Sequence, residues 1–202
     1  MTHIRPYRPA DLADLYEICV KTGNSGQDAT GRFESDDLLP DIYVGPYLAF
    51  EPELAFVVDV GGRAAGYILA TANTRAFVER YRTEWLPDFA AKYPLVNPPR
   101  TLDDRVVKIG HTPESMLGAD VDEFPAHLHI DLLPEVQGNG IGRTLIRTLQ
   151  TALLDRGVPG VQLGVGERNT NARGFYRHLG FHPLPSTPDN DLVLGIATDA
   201  SI

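Results

Sequence analysis

Cysteine is nearly missing from this chain: Cys19 is the single one in 202 residues, so no internal disulfide can form. Its spacing from Leu12, Leu15 and Tyr16 places it on the apolar face of a predicted helix, the position of a small buried hydrophobe rather than a reactive thiol. No run approaches the ~20 apolar residues that a membrane-spanning helix needs. The opening stretch Thr2-His3-Ile4-Arg5-Pro6 has no apolar signal-peptide core. Both absences point to a cytoplasmic protein without a membrane partner. Positive charge is also scarce, with 18 Lys and Arg against 27 Asp and Glu and a net charge of −9, so the basic face expected of a nucleic-acid binder is missing. Acidity of this kind suits a cationic or amine substrate as well as plain solubility. No residues group as a metal site.

What is present reads as alternating strands and helices. Ile4 to Arg8 alternates like a strand, and a helix follows with Asp11 as its N-cap. Residues 22–31 form a polar, glycine-rich loop. Asp36 to Phe50 reads as a proline-interrupted helix, and Leu54 to Val60 and Ala64 to Thr71 flank Gly61-Gly62 as a hairpin. Residues 73–125 break the rhythm. They hold a helical row of Phe77, Tyr81, Trp85 and Phe89, read as packing rather than a binding box, then a proline-rich link and a short helix from Leu102 to Ile109. From residue 126 the order is strand, glycine loop, helix, strand (Gly160 to Val165), helix (Asn171 to Leu179) and two further strand-like runs (Phe181 to Leu184, Asp191 to Ile196). With no repeat and no low-complexity tract, residues 1–202 are expected to form one α/β domain in which helices cover a central sheet.

The most informative stretch is Gln137-Gly138-Asn139-Gly140-Ile141-Gly142, between an apolar strand and a helix. Its glycines let backbone N–H groups approach a ligand, and the helix start adds unpaired N–H groups and the positive end of a dipole, together a cradle for pyrophosphate. No Lys-Ser/Thr pair follows, which excludes a P-loop. Gly142 comes one residue too early for a dinucleotide fingerprint, and no early βαβ unit surrounds it.

The Gln-x-x-Gly-x-Gly spacing, preceded by Leu132-Leu133-Pro134-Glu135, resembles the acyl-CoA signature of the GNAT superfamily of acetyl-CoA-dependent N-acetyltransferases. Downstream, Asn169-Thr170-Asn171-Ala172-Arg173-Gly174-Phe175-Tyr176 through Gly180-Phe181 resembles a second GNAT segment position for position. The resemblance implies a mixed, mostly antiparallel sheet that splays at the CoA site, with residues 73–125 as a helical insertion between the third and fourth strands. It implies acetyl-CoA as cosubstrate, bound by Leu132, Leu133, Gln137, Gly138, Asn139, Gly140, Ile141, Gly142, Arg143, Thr144, Asn169, Arg173 and Tyr176. Tyr176 matches the tyrosine that in many members protonates the departing CoA thiolate; the alternative is a core aromatic beside Phe175. The insertion and the loop Thr22-Gly23 through Asp28-Ala29-Thr30 resemble a narrower group, bacterial GNAT proteins related to the acetyltransferase-like domain at the C-terminus of O-GlcNAcase.

Direct attack on a thioester in a ternary complex needs a neutral amine. In the strand Ala126 to Leu133, His127, His129 and Asp131 share one face and Leu128, Ile130 and Leu132 the other. An unpaired polar row on a central strand is costly, so a water-filled cleft in which His129 or Asp131 takes the proton is one reading, with histidine titrating near neutrality. A His–Asp pair that only orders the strand is the other. The glutamate that many members carry here is missing. The leading expectation is therefore an N-acetyltransferase for a primary amine of unread identity, acting as a monomer or homodimer, and the alternative is an acetyl-CoA-binding sensor or scaffold without turnover.

Overall fold

The computed structural model describes residues 2–185 and 191–202. Its strands are β1 (Thr2–Pro6), β2 (Phe56–Val60), β3 (Arg63–Thr71), β4 (Ala126–Leu132), β5 (Gly160–Gly166), β6 (His182–Pro183) and β7 (Asp191–Ala197). They form one seven-stranded sheet in the order β1-β2-β3-β4-β5-β7-β6. Every pairing is antiparallel except β4 with β5. The helices are α1 (Leu12–Thr22), α2 (Pro40–Tyr43), α3 (Gly45–Phe50), α4 (Thr74–Arg80), α5 (Leu86–Lys92), α6 (Leu102–His111), α7 (Ile141–Leu154) and α8 (Thr170–His178). The expected mixed sheet is present, and residues 73–125 lie between its third and fourth strands.

Strand alternation divides the core into two layers. On one face Val57, Tyr67 and Leu69 pack with Leu15, Ile18 and Cys19 of α1, with Tyr47 of α3 and with Phe77 and Tyr81. On the other, Val58, Ile68, Ala70 and Leu128 pack with Leu145, Leu149 and Leu153 of α7. The apolar stripe of α7 is the i, i+4 pattern read from the sequence. Cys19 is 4% exposed, and burial pushes its thiol well above the ordinary range, so it is a packing residue.

Gly61 and Gly62 close the β2–β3 hairpin at φ +64° and +98°, a left-handed pair that glycine adopts without a Cβ penalty. Three expectations are corrected. Asp11 does not cap α1: its carboxylate accepts from Arg5 at 2.7 and 2.8 Å and from the Arg8 amide at 2.8 Å, and Arg5 also donates to Asp59 at 2.7 Å. This buried pairing supplies the partners that two charges taken out of water require. The helix expected over Asp36 to Phe50 is two short ones, α2 and α3, broken at Val44 and each with proline in its first turn. The helix expected from Asn73 runs as α4, widens into a π turn over Tyr81–Trp85 and continues as α5, with Pro87, whose missing N–H cannot continue the ladder, just after the turn. Phe77, Tyr81 and Phe89 are buried as a packing row.

Candidate active site

β4 and β5 are in register at Ala126↔Val161 and His127↔Gln162 and then part. Beyond His127 no pairing joins the two strands, which leaves a gap between them. Antiparallel ladders alternate hydrogen-bonded and non-bonded positions. The Leu133 amide donates to Ala65 O at 3.0 Å, and β3 pairs Tyr67 with Asp131 and Leu69 with His129. It follows that Ile130 and Leu132 turn their backbone groups away from β3, toward the gap. The sequence pattern did not single out Ile130; only the hydrogen-bond phase of the ladder reveals that its backbone faces the gap. Leu132 O accepts from Gln137 Nε2 at 2.8 Å, which ties the glycine loop to the end of β4. Leu133 is corrected: both its backbone groups are engaged, its carbonyl by Val136 N–H at 3.0 Å.

The glycine loop has the shape expected of a backbone cradle. Gly138, Asn139 and Gly140 follow one another at φ +78°, +48° and +75°, and a Cβ built on Gly138 or Gly140 meets nothing within 4 Å. These glycines serve a left-handed backbone path with open space around it. Gly142 has another function: its Cβ would lie 2.9 Å from Phe175 Cζ, so its bareness lets α7 and α8 approach. Ile141 N–H closes onto Gly138 O at 3.2 Å, and Thr144 directs both its amide and its hydroxyl to Gly140 O at 3.0 Å. Ile141 and Thr144 therefore hold the loop, and their donors are spent within the chain, which corrects the expectation that they face a phosphate. Arg143 Nη2 lies 2.9 Å from His178 Nε2 at the surface. Asn169 caps α8 through Oδ1 to the Ala172 amide at 3.1 Å, as its position predicts. Arg173 reaches Glu167 O at 3.3 Å through Nη1, while its Nε is buried without a hydrogen bond.

The polar face of β4 is built as read, with different partners. His127 and His129 both bond Tyr47 of α3 through Nε2, at 2.6 and 3.0 Å, and Asp131 accepts from Tyr67 at 2.6 Å. No His–Asp bond joins them. The expected titration near neutrality is corrected as well: burial lowers His127 to about 3 and His129 to about 4. Asp131 moves the other way, its carboxyl raised by burial and partly held down by the Tyr67 and Thr22 hydroxyls.

Tyr176 belongs to the core layer on the opposite face, 7% exposed and between Phe175 and Phe181 at 5.2 and 5.4 Å between ring centroids. Its phenol is raised beyond the ordinary tyrosine range, by burial first and then by the charge of Asp131. The Asp131 charge thus acts on the Tyr176 phenol from the polar face of β4. Thr22 touches the same carboxylate, and a Cβ on Gly26 would lie 3.8 Å from Asn169 Nδ2, so the 22–31 loop borders the gap.

The sequence matches the Acetyltransferase (GNAT) family over residues 24–181. The chain belongs to this family. A crystal structure named SsHAT superimposes with a TM-score of 0.94 at 45% identity, covering 98% of this chain and 99% of that one. The N-acetyltransferase PaiA of Thermoplasma acidophilum, solved in complex with coenzyme A, gives a TM-score of 0.60 at 15% identity over 98% and 99% of the two chains, a likeness of fold. Protein O-GlcNAcase of Rattus norvegicus is 26% identical over 199 residues, or 95% of this chain. The chain spans 22% of the length of that curated relative. Among the described residues, no helix of this GNAT chain is long and apolar enough to cross a membrane.

Proposed function

We propose that the chain transfers an acetyl group from acetyl-CoA to a primary amine, the two meeting in the gap between β4 and β5. The observation that carries this reading is the end of β4–β5 pairing at His127, beside which the glycine loop is tied to the end of β4. The residues present suit the cosubstrate. The left-handed turn at Gly138–Gly140 fits a pyrophosphate, the Ile130 and Leu132 backbone fits the amide-bearing pantetheine arm, and the orphaned Arg173 Nε offers a donor to a phosphate. Arg143 adds positive charge at the same helix start. Acetyl-CoA, when bound, supplies the activated acetyl thioester.

Asp131 takes a proton from the acceptor ammonium, and its raised carboxyl is the better base for it. The neutral amine then forms the new C–N bond. As the C–S bond breaks, Tyr176 gives its phenolic proton to the departing sulfur, and the phenolate it leaves takes up, directly or through water, the proton that the new amide nitrogen sheds. Burial keeps that phenol protonated throughout the neutral range, the state a proton donor needs. His129, neutral at this pH, lies beside Asp131 on the amine side. The acidic balance of the chain favours a cationic acceptor.

Titration calorimetry with acetyl-CoA tests the cradle. Gly140→Trp puts an indole into the loop and strains a φ of +75°, so affinity is expected to fall at least ~10-fold, about 1.4 kcal/mol. Equal affinity for wild type and variant overturns this placement.

A further inference from the structure

A run of hydrogen bonds behind β4 has a fixed direction, and it fixes the chemistry of His129. It begins at Pro125 O, which can only accept. Thr74 Oγ1 lies 2.8 Å from that oxygen. Two oxygens at this distance need a proton between them, and Thr74 holds the only one. The Thr74 hydroxyl therefore accepts from its other neighbour, His127 Nδ1 at 2.8 Å, so the His127 proton sits on Nδ1. His127 is 9% exposed and neutral, so its Nε2 is bare and takes the Tyr47 hydroxyl proton at 2.6 Å. The Tyr47 oxygen is left to accept from His129 Nε2 at 3.0 Å. His129, also neutral, then has a bare Nδ1, which has no hydrogen-bond partner among the described residues.

We propose that Thr74, His127 and Tyr47 are positioning residues that hold His129 in its Nε2–H tautomer, so that the bare Nδ1 accepts a hydrogen bond from the acceptor amine. The geometry supports this use. β4 and β5 part after His127, so His129 is the first residue of its face beyond the parting and Asp131 the next. His129 is half-buried, with the Tyr43 and Tyr47 rings edge-on at 5.4 and 5.0 Å. These rings leave the imidazole little freedom to turn. An amine that directs one N–H to His129 and gives a proton to Asp131 is oriented as well as deprotonated. The fixed polarity matters because the opposite tautomer would present an N–H that opposes the donors of the ammonium and ties up the lone pair of the neutral amine. The proposal deepens the amine-transfer reading and rests on it.

Long-range ¹H–¹⁵N NMR of the imidazoles reads the tautomers directly, with or without turnover. The wild type is expected to show His127 protonated on Nδ1, the less common form of a free histidine side chain, and His129 on Nε2. Thr74→Val removes the directing hydroxyl while keeping the side-chain shape. His127 should then move its proton to Nε2, Tyr47 should donate to His129, and His129 should switch to Nδ1–H; Thr74→Ser should restore both. n-Butylamine added with coenzyme A should move the His129 Nδ1 resonance and leave His127 unmoved. In a steady-state assay, Thr74→Val should lower kcat/KM for the amine at least ~10-fold with KM for acetyl-CoA unchanged, and Thr74→Ser should recover it. A His127 proton on Nε2 in the wild type, a His129 tautomer indifferent to Thr74, or equal amine kinetics in wild type and Thr74→Val each overturns the proposal. A wild type with the expected tautomers but no amine-dependent turnover refutes the acetyl-transfer reading instead.

Discussion

Replacing Tyr176 with Phe is expected to lower turnover on the order of 10²-fold while leaving acetyl-CoA affinity within about twofold. The ring is 7% exposed and packed between Phe175 and Phe181, so phenylalanine fills the same space. The hydroxyl makes no hydrogen bond within the chain among the described residues, and its removal leaves no partner unsatisfied. What is lost is the proton for the leaving sulfur. Steady-state kinetics beside calorimetry separates the two quantities. A drop in kcat with binding preserved marks a group that acts on the reacting atoms. A fall in melting temperature of several degrees with kcat unchanged would instead make Tyr176 a core aromatic and no more.

Lowering the pH from 7 to 5 is expected to cost the fold several kcal/mol through His127 and His129. Both rings are neutral when folded, at about 3 and about 4, against about 6.5 for an exposed ring. Between about pH 4 and 6.5 the unfolded chain binds more protons than the folded one, so stability rises with pH and is lost as pH falls through that window. At pH 5 the difference of roughly 1.5 units amounts to about 2 kcal/mol per histidine. Asp131 has the opposite sign, since its raised carboxyl takes up a proton in the fold before it does in the unfolded chain, and it offsets part of the loss. The lowered carboxyls of Asp11 and Asp59, paired with Arg5, contribute stability that disappears only at lower pH, as they protonate. Urea midpoints at pH 7 and pH 5 for wild type and His127→Gln check the assignment. The variant should lose a smaller part of its stability between the two pH values, and an identical loss would refute it.

Much of the site was legible because it is local. The Gly138–Gly142 run, the α7 stripe and the Asn169 cap each depend on residues a few positions apart, and periodicity and glycine spacing report such features directly. The same holds for the polar face of β4, since alternation alone puts His127, His129 and Asp131 together. The illegible parts depend on distant partners. Tyr47 stands 80 positions from His127, and nothing in the local pattern around either residue announces the bond. The lowered titration of the histidines has the same origin, because it comes first from burial under α3 and the insertion. Leu133 and Thr144 fit the motif by position but spend their donors on Ala65 O and Gly140 O; only the phase of the ladder and the direction of a hydroxyl decide that. Ile130 was missed for the converse reason, an apolar side chain whose contribution is its backbone. Val44 ends α2 through a backbone break flanked by Pro40 and Pro46, which apolar spacing over 36–50 does not resolve.

The central claim is that the gap between β4 and β5 brings an acetyl thioester to an amine. Purified protein incubated with acetyl-CoA and a panel of primary amines, amino sugars and lysine peptides tests it most directly, with free thiol and acetylated product measured together. The account predicts amine-dependent thiol release matched one for one by an N-acetylated product, and loss of both in Tyr176→Phe. Binding of acetyl-CoA with thiol release no faster than hydrolysis for every amine would contradict it and leave a CoA-binding protein without turnover.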